Sequence, residues 1–316
     1  MDRIIGKVPV PLAGLMLALA VLGNMLSSYG PVYRNTAGLL AACLLLLLAA
    51  KLVRNPGCIR EGFSNPVTAS VIPTFSMGVM ILSTYIQHLN YGLAYGTWLL
   101  GLVMHIVLIV SFSKHYLFSF RIQKVYPSYF IVYVGIVAGS VTAPAYNLAH
   151  LGQFLFWFGF IANLLLLPFV LYRVFFVQAI PESALPTQII FAAPASLCLV
   201  GYLNTFAIRS VAMVGFLVLF ALIMAVVAVS FLPGLLKLQF YPSYSSFTFP
   251  FVISAAAIKG AHGFLLSQGW NVAPLAYTGI FLEFLSVLMV FYVLVRYIAY
   301  LMPFTIVLVP VEERPA

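Results

Sequence analysis

Charge is what this sequence most lacks. Only 7% of its 316 residues are Asp, Glu, Lys or Arg, against roughly 25% in an ordinary soluble domain. So few charges cannot cover a water-facing surface, which excludes a soluble enzyme or a soluble binding module. Carboxylates are scarcest, six in all, and Glu283 is the only one inside a long apolar run. An enzyme acting on lipid-linked substrates needs paired acids, a metal cluster, or a nucleophile with its base. That shortage leaves a membrane-embedded enzyme as a remote alternative.

Cysteine is nearly absent too. Cys43, Cys58 and Cys198 are odd in number and have no ligand-like spacing, which argues against a disulfide framework or a metal site. The five histidines do not gather either. His88, His115 and His150 fall near the ends of apolar runs, His105 stands alone in one, and His262 follows Lys259. Satisfied or interfacial histidines fit that scatter, and no metal or cofactor is expected. No long polar stretch offers a soluble catalytic or regulatory domain, so a scaffold or sensor has nothing to work with. The first apolar run is followed by nine more rather than by a cleavage site and a soluble domain, so no signal peptide is expected.

What is abundant is hydrophobicity, 64% of the chain. It is arranged in runs of about 20 residues, enough to cross a hydrocarbon core roughly 30 Å thick at 1.5 Å per residue. The pattern predicts an all-α integral membrane protein, one domain over 1–316, with helices near 9–29, 34–53, 69–89, 93–117, 127–147, 151–176, 187–205, 209–236, 245–267 and 275–300. The net charge of +9 then reads as loop anchoring rather than nucleic-acid binding. With a cytoplasmic amino terminus, twelve cations fall on the inside: Arg3, Lys7, Lys51, Arg54, Arg60, Lys114, Arg121, Lys124, Arg173, Lys237, Arg296 and Arg314. Three fall outside, Arg34, Arg209 and Lys259. Ten spans, and both termini in the cytoplasm, fit that bias.

Proline adds a second level of order. Odd-numbered helices carry Pro9 and Pro11, Pro73, Pro127 and Pro144, Pro194, and Pro250, while the even ones carry chiefly Pro168 and Pro233. Proline in a membrane helix frees a carbonyl, which only protein or a watery cavity can satisfy again. Odd helices are therefore expected inside, around a shared axis, and aliphatic even helices such as 34–53 outside against lipid. The competing reading is that the prolines only kink tightly packed helices.

Several segments are recognisable at this point: Val71-Ile72-Pro73-Thr74-Phe75-Ser76-Met77-Gly78, Tyr126-Pro127-Ser128-Tyr129-Phe130, the run from Gly135 through Gly139-Ser140-Val141-Thr142 to Pro144, Phe191-Ala192-Ala193-Pro194-Ala195-Ser196-Leu197, and Thr248-Phe249-Pro250-Phe251. In order and spacing they resemble the tellurite-resistance/dicarboxylate transporter family, which includes the bacterial protein TehA, fungal malate permeases and plant slow anion channels. The resemblance implies five helical hairpins in quasi-fivefold arrangement, odd helices lining one pore per protomer, and a homotrimer. It implies permeation of small inorganic anions or C4-dicarboxylates such as malate. It also implies a phenylalanine plug at Phe249, in preference to Phe247 or Phe251. Tellurite resistance is not read as chemistry on tellurium.

An aromatic ring across a narrow apolar pore blocks ions by stripping water without replacing it. Ordinary packing is the alternative for Phe249, since the chain has 27 phenylalanines. The expected pore lining is Pro73, Thr74, Ser76, Ser140, Thr142, Pro194, Ser196, Thr248, Pro250 and Lys259. Each serine or threonine has the alternative of bonding its own helix backbone.

Lys259 lies well inside a span, where a charge is costly. It shares a helix face with Thr248, Val252, Ala255 and Ala256. Three readings are open: an ion pair with Glu283, an anion attractor, and a proton-coupling role for Glu283. No arginine lies at mid-span, as tight dicarboxylate capture would prefer. The expectation is an anion channel of the plasma membrane, with a proton-coupled C4-dicarboxylate transporter as the alternative.

Overall fold

The computed structural model describes residues 2–302, with side chains from Ile5 onward; Arg314 and the side chain of Arg3 lie outside the described residues. Among these residues there are helices and turns but no strand. A short helix, α1 (Asp2–Lys7), leads into the first hairpin, α2 (Leu12–Leu26) and α3 (Pro31–Arg54). Two short helices, α4 (Gly57–Gly62) and α5 (Pro66–Val71), precede the second hairpin, α6 (Pro73–Ile86) and α7 (Tyr91–Phe112). The third comprises α8 (Tyr129–Tyr133), α9 (Val137–Thr142) and α10 (Ala149–Tyr172); the fourth α11 (Ala192–Thr205) and α12 (Val211–Leu235); the fifth α13 (Phe249–Ser267) and α14 (Ala273–Leu301).

The five hairpins close a ring. In each, the first member packs on the second, and the first members also pack on one another in the order α2, α6, α9, α11, α13 and back to α2. Burial separates the two layers. In the most apolar stretch of the four continuous inner spans, 61–94% of residues are buried, against 22–44% in the outer ones. The outer helices turn Leu, Val and Phe outward, which suits lipid rather than water. All inner spans begin at one end of the bundle, so they run parallel.

Nine helices among the described residues are long and apolar enough to cross a membrane. The tenth expected crossing, 127–147, is present but not continuous. It breaks into α8, a tight turn at 134–136, α9, and a 3-10 turn over Ala143–Tyr146. Gly135 sits at the break, where a Cβ would fall 2.1 Å from the Ile131 carbonyl oxygen and 2.7 Å from Met77 Sδ. The prolines explain the remaining interruption. Pro144 lies in the 3-10 turn, and Asn147 ends it with a left-handed backbone at φ 59°. The sequence pattern cannot see such a break, because every residue in it except Asn147 is apolar, small or hydroxylated.

The outer helices also fasten the starts of the inner ones. Near the end of α3, Lys51 Nζ donates to the Val8 carbonyl just before α2. Just past α10, Arg173 donates to the Gln123 carbonyl at 3.3 and 3.2 Å and to the Ala179 carbonyl, and it sits over the Tyr126 ring ahead of α8. On α14, Arg296 lies over the rings of Phe240 and Tyr244, which precede α13. Basic residues at this end therefore brace the ring as well as mark its side.

Candidate functional site

Three cavities stack along the axis enclosed by the inner spans, and each is lined by residues from all five. At the end where the inner spans begin, a vestibule is walled by Pro9–Pro11, Asn65–Thr68, Tyr126, Pro181 with Ser183, and Tyr241–Ser243. It shares Val71 with a middle cavity. The middle cavity shares Leu197 and Phe249 with a vestibule at the opposite end. The vestibules span about 1020 and 1110 Å³, part of it open to solvent, and the middle section about 480 Å³, so the route is smallest at its centre.

Each inner span offers the axis one stripe at helical spacing. On α11 and the turn before it the stripe is Ile190, Ala193, Pro194, Leu197, Val200 and Asn204; on α13 it is Phe249, Ile253 and Ala256. Among the described residues, no Asp, Glu, His, Lys or Arg lines any of the three cavities. The accessible lining of the middle section is apolar.

Phe249 is the first residue of α13 and is followed by Pro250, which lacks the N–H that a helix start leaves unpaired anyway. The residue before it, Thr248, breaks from the preceding 3-10 turn with φ −101° and ψ −77°. Its hydroxyl donates to the Ser245 carbonyl at 2.6 Å and lies 3.4 Å from the Gly14 carbonyl on α2. That anchors the backbone on the ring and sends Phe249 toward the axis. Phe247 and Phe251 are fully buried away from the three cavities, Phe247 against Tyr244 at 4.7 Å between ring centres.

Of the residues expected to line the axis, Thr74, Pro194 and Pro250 border the middle cavity and Thr142 borders the vestibule beyond it. Even these hydroxyls are engaged. Thr74 donates to the Val71 carbonyl at 2.7 Å, and Thr142 donates to the Ala138 carbonyl and accepts from Trp98 Nε1.

Pro73, Ser76, Ser140, Ser196, Thr248 and Lys259 line none of the three cavities, which corrects the expectation for them. Their polar atoms join helices instead. Ser76 bonds the Pro73 carbonyl and His105 Nδ1 at 2.8 Å, and His105 Nε2 reaches the Val132 carbonyl at 3.1 Å. His105 thus ties α7 to α6 and α8. Ser140 and Thr205 pair at 3.0 Å between α9 and α11.

Lys259 turns off the axis toward α14, its stem along Gly279. Its Nζ lies 2.7 Å from Glu283 Oε2, which also accepts from the Tyr29 hydroxyl at 3.2 Å. The ammonium sits 5.0 Å from the centre of the Tyr29 ring. The two charges therefore compensate each other between α13 and α14. Among the described residues no group of His, Cys, Asp and Glu could hold a metal ion.

An uncharged axial route thus runs through a ring of five parallel inner spans. A family model described as voltage-dependent anion channel matches residues 8–298. The chain belongs to the voltage-dependent anion channel family. This is the tellurite-resistance/dicarboxylate transporter family that the motifs resemble. Family membership makes the chain a multi-pass membrane protein that carries anions, and members are channels or transporters rather than enzymes. No curated protein matches the chain.

Leu197 is a contributor to the constriction that the sequence did not single out. It lies three residues after Pro194, and that i, i+3 spacing on an inner helix was the available signal.

Proposed function

We propose that the chain is an anion channel whose pore follows the three axial cavities and is closed by the ring of Phe249. The observation that carries this is that Phe249, with Leu197, belongs to both the middle cavity and the vestibule beyond it. A ring at such a junction makes an ion shed water while offering no ligand in return. Opening then requires the ring to move aside.

Small monovalent anions and C4-dicarboxylates such as malate are both admitted by this reading. Uncharged walls favour weak binding and fast passage. Proton-coupled dicarboxylate transport would call for a titratable or cationic group on the axis, and among the described residues no charged residue or histidine lines its cavities. Glu283 is engaged by Lys259 away from the axis. Tellurite resistance, implied by a family name, is read as incidental and not as chemistry on tellurium.

The end where the inner spans begin is assigned to the cytoplasm, with both termini on that side and the protein in the plasma membrane. The support is the excess of Lys and Arg there. A homotrimer with one pore per protomer is proposed from the family resemblance, and native mass measurement in a mild detergent tests it.

The deciding experiment is anion current through wild type and Phe249→Ala in planar bilayers, with chloride, nitrate or malate as the sole permeant anion. A large gain of current in the mutant supports the channel, and reversal potentials rank the anions. No current in either, alongside uptake of labelled malate into vesicles, sinks the gate assignment and leaves a slow transporter.

A further inference from the structure

The parallel inner spans present their carbonyl ends to the vestibule beyond Phe249, and helix carbonyl ends repel anions. An anion route therefore needs compensation at that mouth. Three cations occupy this half. Lys259 is matched by Glu283. Arg209 is exposed, and its Nε donates to the Phe206 carbonyl at the end of α11. Arg34 is the one joined directly to residues of the vestibule wall.

Arg34 is held on three sides. Its Nε donates to Asn24 Oδ1 at 3.1 Å, its Nη2 donates to the Thr84 carbonyl in the last turn of α6 at 3.1 Å, and its guanidinium lies 4.5 Å from the centre of the Tyr85 ring. Tyr85 is fixed in turn by its hydroxyl on the Ala20 carbonyl at 2.6 Å. Gly38 makes room for it, since a Cβ there would lie 2.3 Å from the ring. Asn24 and Thr84 both line the vestibule. Guanidinium has only donors, so the Asn24 atom facing Arg34 is the amide oxygen, and the amide NH₂ is left for the vestibule side.

We infer that Asn24, oriented by Arg34, is an anion-binding subsite at the mouth beyond the gate, selective for a small monovalent inorganic anion. Asn24 touches the ion and replaces part of its water; Arg34 is a positioning residue that also supplies the charge. A dicarboxylate would need a second cation within reach, and among the described residues none lines this vestibule. The inference rests on the reading of the chain as an anion channel gated at Phe249.

The test uses Phe249→Ala channels in planar bilayers with bromide as permeant anion. Asn24→Leu, Arg34→Gln and Arg34→Lys are added singly, after size-exclusion chromatography has shown each to be folded. Asn24→Leu and Arg34→Gln are expected to lower conductance at low ionic strength at least about threefold. The Arg34→Gln loss fades in high salt, which screens charge, while the Asn24→Leu loss persists. Arg34→Lys restores most of the low-salt conductance. Conductance and salt dependence unchanged in Asn24→Leu and Arg34→Gln overturn the subsite; if Arg34→Gln does not fold, Asn24→Leu decides alone. If Phe249→Ala itself carries no current, the gate reading fails separately, and anomalous diffraction from bromide in wild-type crystals judges the subsite. A peak beside Asn24 that disappears in Asn24→Leu supports it, and no peak there overturns it.

Discussion

The hydroxyls of Ser196 and Ser254 stand 3.0 Å apart, and both reach the carbonyl oxygen of Ala192, at 2.7 and 3.0 Å. Ser254 also reaches the Pro250 carbonyl at 2.8 Å. The two hydroxyls thus tie α11 to α13 instead of facing the axis. Ser196→Ala is expected to lower stability by about 1 kcal/mol and to leave anion preference unchanged. Thermal unfolding in detergent and reversal potentials check the two halves of that statement.

Leu197 shares the constriction with Phe249 but presents a smaller, more mobile side chain. Leu197→Ala is expected to raise anion leak, by less than Phe249→Ala does. Phe247→Ala, off the axis, is expected to cost about 3–5 kcal/mol of stability with no gain of current. A Phe247→Ala protein that is stable and leaky would mean that the wrong ring has been assigned to the axis.

Gly135 lets the third inner span break against Met77 and His105. Gly135→Ala is expected to destabilise the protein by about 1–3 kcal/mol through overpacking, because the nearest obstacle is the Ile131 backbone oxygen rather than a flexible side chain. A melting temperature equal to that of wild type would show that the neighbours can give way.

Lys259 and Glu283 offer a double-mutant cycle. Removing one partner strands a charge in a span, so Lys259→Met is expected to cost up to about 3 kcal/mol. Lys259→Met combined with Glu283→Leu is expected to recover most of that loss. Neither variant should alter permeability ratios, since the pair lies off the axis. A changed ratio in the double variant would return Lys259 to the pore.

Much of the fold was legible because lipid imposes strict rules. Apolar length gave the spans, the distribution of Lys and Arg gave their alternation, and the placement of proline separated inner from outer helices. The break at Gly135 was not legible, since a broken buried span and a continuous one have the same hydropathy. At the site, Phe249 came from a local motif, whereas composition alone could not pick one ring among 27 phenylalanines. Ser76, Ser140 and Ser196 were misplaced for one physical reason. A hydroxyl on an inner helix can face the axis or bind the helix beside it, and only the packing of α7, α11 and α13 decides which. Of the three cations that depart from the charge bias, Lys259 stood out in the sequence as a charge inside a span, whereas nothing in the sequence assigned a role to Arg34 or Arg209. In the structure two cap carbonyls at helix ends and one is neutralised.

Because each hairpin returns the chain to the same face, its five inner spans share a direction, and the bundle has an electrical front and back. Amide N–H groups crowd one mouth and carbonyls the other. Such a conduit should rectify in identical solutions on both sides. Anions gathered at the N–H mouth are drawn through more readily than those approaching the carbonyl mouth, with no moving part required. Hairpin topology alone would then make the current–voltage curve bend.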